Sequence, residues 1–234
     1  MATNDDPTEP GTAHLADDID TDAAARGTVY GLAARAFTEP DQELYDALAS
    51  GDLADEFAEL LDRTALDVDP PALGTDDDRD TVRARYNDLF VVGYSEVIDR
   101  TDGTIESQGP PVSLYESDYR PEVSWNDVNL DLARAYEYFG CQVDQDDRDN
   151  HDNLRIQLEF VGYLCRREAA VDPDVARARL DFHDRHLRVV VDGVASALAE
   201  EPGTGYYGTL ADFLDRFSAA DVEDLAERTG GDGP

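Results

Sequence analysis

The chain is 234 residues long, enough for one sizeable domain, and sets 54 Asp and Glu against 19 basic residues, all of them Arg, for a formal charge of −35. That balance excludes the basic footprint that nucleic acid requires. Two cysteines, Cys141 and Cys165, make neither a disulfide framework nor a Cys-type zinc site, and without 18 consecutive apolar residues no membrane span is expected.

The acid is spread over loops, helix faces and both ends rather than gathered in one patch. Such a surface repels itself at low salt and is relieved where the Debye length falls to about 3 Å, near 1 M. The composition therefore predicts adaptation to a high-salt cytoplasm. Residues 1–20 lack a basic segment followed by an apolar one and so do not read as a secretory signal. They read as a disordered acidic arm, residues 21–228 as one domain, and residues 229–234 as a flexible tail.

Ala25, Val29, Leu32, Ala33 and Ala36 recur at helical spacing until Pro40 stops them. Asp41 caps a short helix through Ala49, and Gly51-Asp52 separates it from another carrying Leu53, Phe57, Leu60 and Leu61. After a Pro- and Gly-containing linker, Asp78 to Phe90 forms a helix with Val82, Tyr86, Leu89 and Phe90 on one side. From Gly93 to Ser124 no period is sustained, and a loop of that length is usually functional or mobile.

Asn126 or Asp127 caps the next helix, which carries Val128, Leu132, Tyr136 and Phe139 and ends at Gly140. An acidic connection follows, Gln142 to Asn150. The helix opening at Asp152, its expected N-cap, places Leu154, Leu158, Val161 and Cys165 on one face, widened by Ile156, Phe160 and Leu164. Asp172-Pro173 opens a long helix to about Glu200, Tyr206 to Phe217 is another, and Asp221 to Arg228 adds a turn or two. The expected fold is an all-α, single-domain bundle of about eight or nine helices, with a long irregular loop between the fourth and fifth.

No arrangement of catalytic residues emerges. Gly203-Thr-Gly-Tyr-Tyr-Gly208 fits G-x-G-x-x-G formally, but it follows a helix rather than a strand and reads as an interhelical turn. His183 and His186 lie three apart with His151 before another helix, a spacing able to share a metal but lacking the Glu-x-x-His partners of a two-metal bundle site. Neither cysteine has a basic flank or a neighbouring Cys to activate it. The residues imply no metal and no cofactor. Leu114, Tyr115, Tyr119 and Trp125 offer large contact area at low entropic cost, and Pro110 and Pro111 stiffen the approach to them.

Several blocks, in order, carry a resemblance. They are Arg26-Gly-Thr-Val-Tyr30 through Phe37 and Pro40; Tyr86, Leu89 and Phe90; Tyr115-Glu-Ser-Asp-Tyr119; Asp152-Asn-Leu154 with Leu158-Glu-Phe160; His186-Leu187; and Tyr206-Tyr-Gly-Thr-Leu-Ala211. Over most of Arg26 to Phe217 this pattern resembles the TorD/DmsD/NarJ family of molybdoenzyme maturation chaperones. The chain departs from it at Leu114, where the family has Pro, at Asn153, where it often has His, and at Gln157, where Glu is common.

The resemblance implies a client-specific chaperone and no enzyme. It would bind the N-terminal, twin-arginine signal region of a molybdopterin oxidoreductase subunit and assist folding, cofactor insertion and export proofreading. The expected partner-binding residues are Pro110, Pro111, Leu114, Tyr115, Glu116, Tyr119, Trp125, His151, Asp152 and Asn153. A cytoplasmic monomer or dimer without membrane insertion is expected. Two alternatives are an assembly factor for a non-exported molybdoenzyme, as in the NarJ branch, and an all-α metal-dependent hydrolase using His151, His183 and His186.

Overall fold

A computed structural model describes residues 19–93, 95–97, 105–107, 109–143, 150–170 and 175–230. The architecture is the expected all-α bundle. Its helices are α1 (Thr21–Ala36), α2 (Gln42–Ser50), α3 (Asp52–Leu61), α4 (Arg79–Phe90), α5 (Trp125–Tyr138), α6 (Leu154–Ala170), α7 (Val175–Phe182), α8 (Arg188–Glu200) and α9 (Tyr206–Arg228). Most of the acidic arm, the cap at Asp172-Pro173, much of the acidic connection and the end of the tail lie outside the described residues.

Local chemistry sets most boundaries. Asp20, Asp41 and Asp78 accept hydrogen bonds from the first-turn amides of α1, α2 and α4. Each carboxylate satisfies N–H groups that have no partner within the helix. Gly51, at φ +88°, lets α2 reverse straight into α3, a conformation that costs other residues more.

The core is organised around α1. Its small residues, Ala23, Ala25, Ala33, Ala34 and Ala36, are buried and let α6 come close. At the crossing, Cβ atoms on Gly27 and Gly162 would each sit 2.8 Å from the other residue's carbonyl oxygen. Aromatic rings fill the space toward α9, with Tyr30 on Phe217 at 5.1 Å and Phe57 on Phe213 at 5.2 Å between centroids.

A buried ionic cluster ties α1, α7 and α9 together. Asp221 accepts from Arg26 at 3.0 Å, from Arg179 at 2.9 Å and from the Tyr30 hydroxyl at 2.8 Å, with all four residues under 5 % exposed. Two guanidinium groups survive burial there because carboxylates face them.

Several expectations need correction. Ser124, not Asn126 or Asp127, caps α5 by accepting from the Asp127 amide at 3.2 Å, so Trp125 is the helix's first residue. The long loop holds a short antiparallel pair of strands, β1 (Ser95–Val97) with β2 (Ile105–Ser107), and a 3-10 turn at Glu116–Tyr119. The helix running to Glu200 contains a five-residue π turn, His183–Leu187. Finally, α9 is continuous through Arg228 because Ser218, Asp221 and Leu225 keep its inner face buried.

Candidate functional site

The loop and the α6 entrance, paired residues of which lie 36 to 40 apart in sequence, form one backbone ladder. The Leu154 amide donates to the Leu114 carbonyl at 2.7 Å, the Glu116 amide donates to the Asp152 carbonyl at 2.9 Å, and Tyr115 pairs with Asn153 as an antiparallel bridge. Asp152, fully buried, turns its carboxylate onto the loop, where one oxygen accepts from the Ser117 amide at 3.2 Å and hydroxyl at 2.6 Å. The helix cap is therefore Asn153 rather than Asp152: its side-chain oxygen accepts from the Arg155 amide at 2.9 Å.

Glu116 is the hub beneath this ladder. It is fully buried; its oxygens accept from Gln157 Nε2 at 2.8 Å, pair ionically with Arg120 at 2.8 Å and face His186 Nδ1 at 3.1 Å. The other ring nitrogen of His186 faces Asp131 of α5 at 3.2 Å. Arg185 also reaches Asp131 and lies 3.4 Å from Asp181, while Arg120 donates to the Arg185 carbonyl. The π turn aims His186 inward, between the loop and α5.

The remaining expected residues frame this hub. Leu114 and Asn153 are buried; Pro110, Pro111, Tyr115 and Tyr119 are half-buried. The Val112 amide donates to the Leu89 carbonyl at 3.0 Å, pinning the loop's approach to α4. Tyr119 donates to the Ser113 carbonyl at 2.7 Å. Burial raises the Tyr119 pKa above the ordinary phenol range. Trp125 is half exposed at the foot of α5.

The histidines do not converge. The His151 ring stacks on Tyr136 at 6.0 Å, and its carbonyl accepts from the Tyr136 hydroxyl at 2.8 Å. His183 is buried with neither ring nitrogen hydrogen-bonded, and burial lowers its pKa. Among the described residues, no group of three His, Cys, Asp or Glu side chains is placed to hold a metal ion. Burial pushes the Cys165 thiol up to about 12, and Cys141 is also raised. Gly203 and Gly205, with φ of +71° and +60°, make the turn between α8 and α9.

Beside the ladder opens a cleft that the sequence reading did not single out. Helix α5 approaches the body mainly through side chains, and rings span the gap: Tyr136 to Phe160 at 4.7 Å, Phe139 to Phe160 at 5.9 Å and Phe160 to Phe182 at 4.9 Å. Around these rings lie hollows of about 610 and 470 Å³ that share Tyr136, Cys141, Gln142 and Val143, the second floored by Ile156, Phe160 and Tyr163. A third, about 310 Å³, opens on the far side between α5 and α7. Exposed carboxylates, Glu137 and Glu159, stand on the walls of the first two. His151 lines the first hollow and so connects the expected site to this cleft. The one sequence signal for it was the unusually wide apolar stripe of α6.

The family model for the nitrate reductase delta subunit matches residues 34–195. The chain is 33 % identical over 158 residues to the selenate reductase assembly chaperone protein of Thauera selenatis, covering 61 % of this chain and 72 % of that one. It is 30 % identical over 199 residues to the chlorate reductase assembly chaperone protein of Ideonella dechloratans, covering 82 % and 86 %. Against the perchlorate reductase assembly chaperone protein of Dechloromonas aromatica strain RCB, identity is 26 % over 207 residues, covering 86 % and 90 %.

Proposed function

The chain belongs to the nitrate reductase delta subunit family, and from that membership we propose that it is an assembly chaperone for a molybdopterin-containing oxidoreductase. It binds the N-terminal region of the client's catalytic subunit, a twin-arginine signal where the client is exported. It holds the subunit through folding and cofactor insertion, and so delays export until both are complete. The mechanism is binding, with no bond made or broken.

The observation that carries this reading is the aromatic cleft opening beside the joined loop and α6 entrance. A segment with large apolar side chains gains about 25 cal/mol for each Å² it buries against Tyr136, Ile156, Phe160 and Tyr163. Arginines in the same segment meet Glu137 and Glu159, where charge-assisted hydrogen bonds form at short range. The expected residues then divide into two roles. Tyr115, Trp125 and His151 present surface to the client, while Leu114, Glu116, Asp152 and Asn153 hold the loop against α6.

Calorimetric titration with a synthetic peptide from the N-terminus of a cognate catalytic subunit tests the reading. One-to-one binding is expected, weakened at least about tenfold, or 1.4 kcal/mol, by Ile156→Glu. Absence of binding by folded wild-type chain, to the peptide and to the whole apo-subunit alike, would overturn it.

A further inference from the structure

One imidazole stands between α5 and the loop residue that is bonded to α6 through Gln157. His186 faces Glu116 of the loop through Nδ1 at 3.1 Å and Asp131 of α5 through Nε2 at 3.2 Å. Nδ1 is hydrogen-bonded to Glu116 and Nε2 lies within ion-pair distance of Asp131, so one ring touches a carboxylate of the loop and another of α5. The ring is nearly buried and is seated in the π turn. Such turns interrupt regular helix geometry and recur at functional positions.

Among the described residues, the polar ties on α5 include the Tyr136 hydroxyl on the His151 carbonyl at 2.8 Å, the Tyr163 hydroxyl on the Phe139 carbonyl at 3.2 Å and the Arg185–Asp131 pair, while Val128, Leu132 and Tyr136 pack its apolar side into the core. Helix α5 follows the Ser124 cap and leads into Gly140 at φ +76°, a backbone conformation that glycine adopts without strain.

We propose that His186 is a positioning residue that sets the width of the α5–α6 cleft by holding α5 against the Glu116-anchored loop. Removing its contact with Asp131 lets α5 swing outward about its two ends, so that hollows now separated by Tyr136 and Phe160 merge. The ring thereby governs how large an apolar segment the cleft accepts. Arg185 is secondary: its side chain is half exposed, and exposed ion pairs hold geometry weakly. The inference rests on the client cleft proposed above and adds its regulation.

The two thiols supply the readout. Cys141 lines the hollows directly after α5, and Cys165 is buried in the core as an internal reference. Labelling of native protein by a maleimide, without any client, is expected to be about tenfold faster at Cys141 in Asp131→Ala, a local opening that leaves the core intact. Asp131→Asn keeps an acceptor facing His186 and is expected to return Cys141 to the wild-type rate, and Arg185→Ala to stay within about twofold of it. His186→Gln, which reaches one carboxylate at most, is expected to behave like Asp131→Ala. Wild-type labelling of Cys141 in Asp131→Ala would overturn the proposal. So would matching acceleration at Cys165, which reports general loosening. Since no peptide enters the measurement, a failed client titration does not decide it.

Discussion

The Tyr119 ring fills the space over Gly193 of α8: a Cβ added to that glycine would lie 2.4 Å from a ring carbon. The aromatic end of the loop motif is thus seated directly on the helix backbone. An alanine inside a helix is ordinarily favoured over glycine by about 1 kcal/mol, but overpacking a filled site costs about 1–3 kcal/mol. Gly193→Ala is therefore expected to destabilise the fold by up to about 2 kcal/mol in urea denaturation. Adding Tyr119→Ala removes the clash, so the pair should lose less stability than the two changes summed.

Asp152 and Asn153 are expected to separate in mutagenesis. Asn153→Ala removes the α6 cap and costs about 1 kcal/mol. Asp152→Ala leaves the cap and strips the Ser117 amide and hydroxyl of their acceptor, at about 1–3 kcal/mol. Hydrogen exchange distinguishes them, since the Ser117 amide should exchange faster in Asp152→Ala alone.

His183 gives a pH dependence of definite sign. Burial lowers its folded pKa, while the unfolded chain titrates near the usual value of about 6.5. Below that pH the unfolded state binds the extra proton, so this contribution is full above about pH 6.5 and is lost as pH falls toward the folded pKa. The slope from one such group is at most about 1.4 kcal/mol per pH unit. Stability measured between pH 7.5 and 5 should decline less steeply in His183→Leu than in the wild type.

Salt should act on stability and binding differently. Raising KCl from 0.1 to 2 M shortens the Debye length from about 10 Å to below about 3 Å and relieves repulsion within a chain of charge −35. The melting temperature is expected to rise. On the proposed mode of binding, in which apolar burial and short-range carboxylate–Arg bonds carry the affinity, client-peptide binding should vary little over the part of that range where the protein is folded. A steep, continuous loss of binding in folded protein would show long-range attraction instead.

The helices are legible because they rest on local chemistry: Asp41 caps α2 through an amide three residues on, and the apolar stripes of α3, α5 and α6 bury most of the residues their spacing marks. Where two cap-forming residues stand together, tertiary partners decide between them. Asp152 is drawn to Ser117 from a distant loop and leaves the cap to Asn153, and Ser124 takes the role open to Asn126 and Asp127.

The meeting of Tyr115 with Asn153 was readable only as two motifs that resemble one family, since no local rule brings them into register. The π turn has no sequence signature, so the orientation of His186 was hidden. The cleft is a gap between helices, made by what α5 does not touch, and spacing along one helix cannot report that.

The Asp221 cluster bears on how the chain is made. Arg26 and Asp221 are 195 residues apart, so α1, with only Asp22 beside its guanidinium, emerges from the ribosome long before the Asp221 carboxylate that meets it in the core. At synthesis rates of about 5–20 residues per second the interval is roughly 10–40 s. Nascent chains arrested before α9 should therefore remain open to protease, and a protein proposed to shelter another through its assembly must itself wait, incomplete, for its last helix.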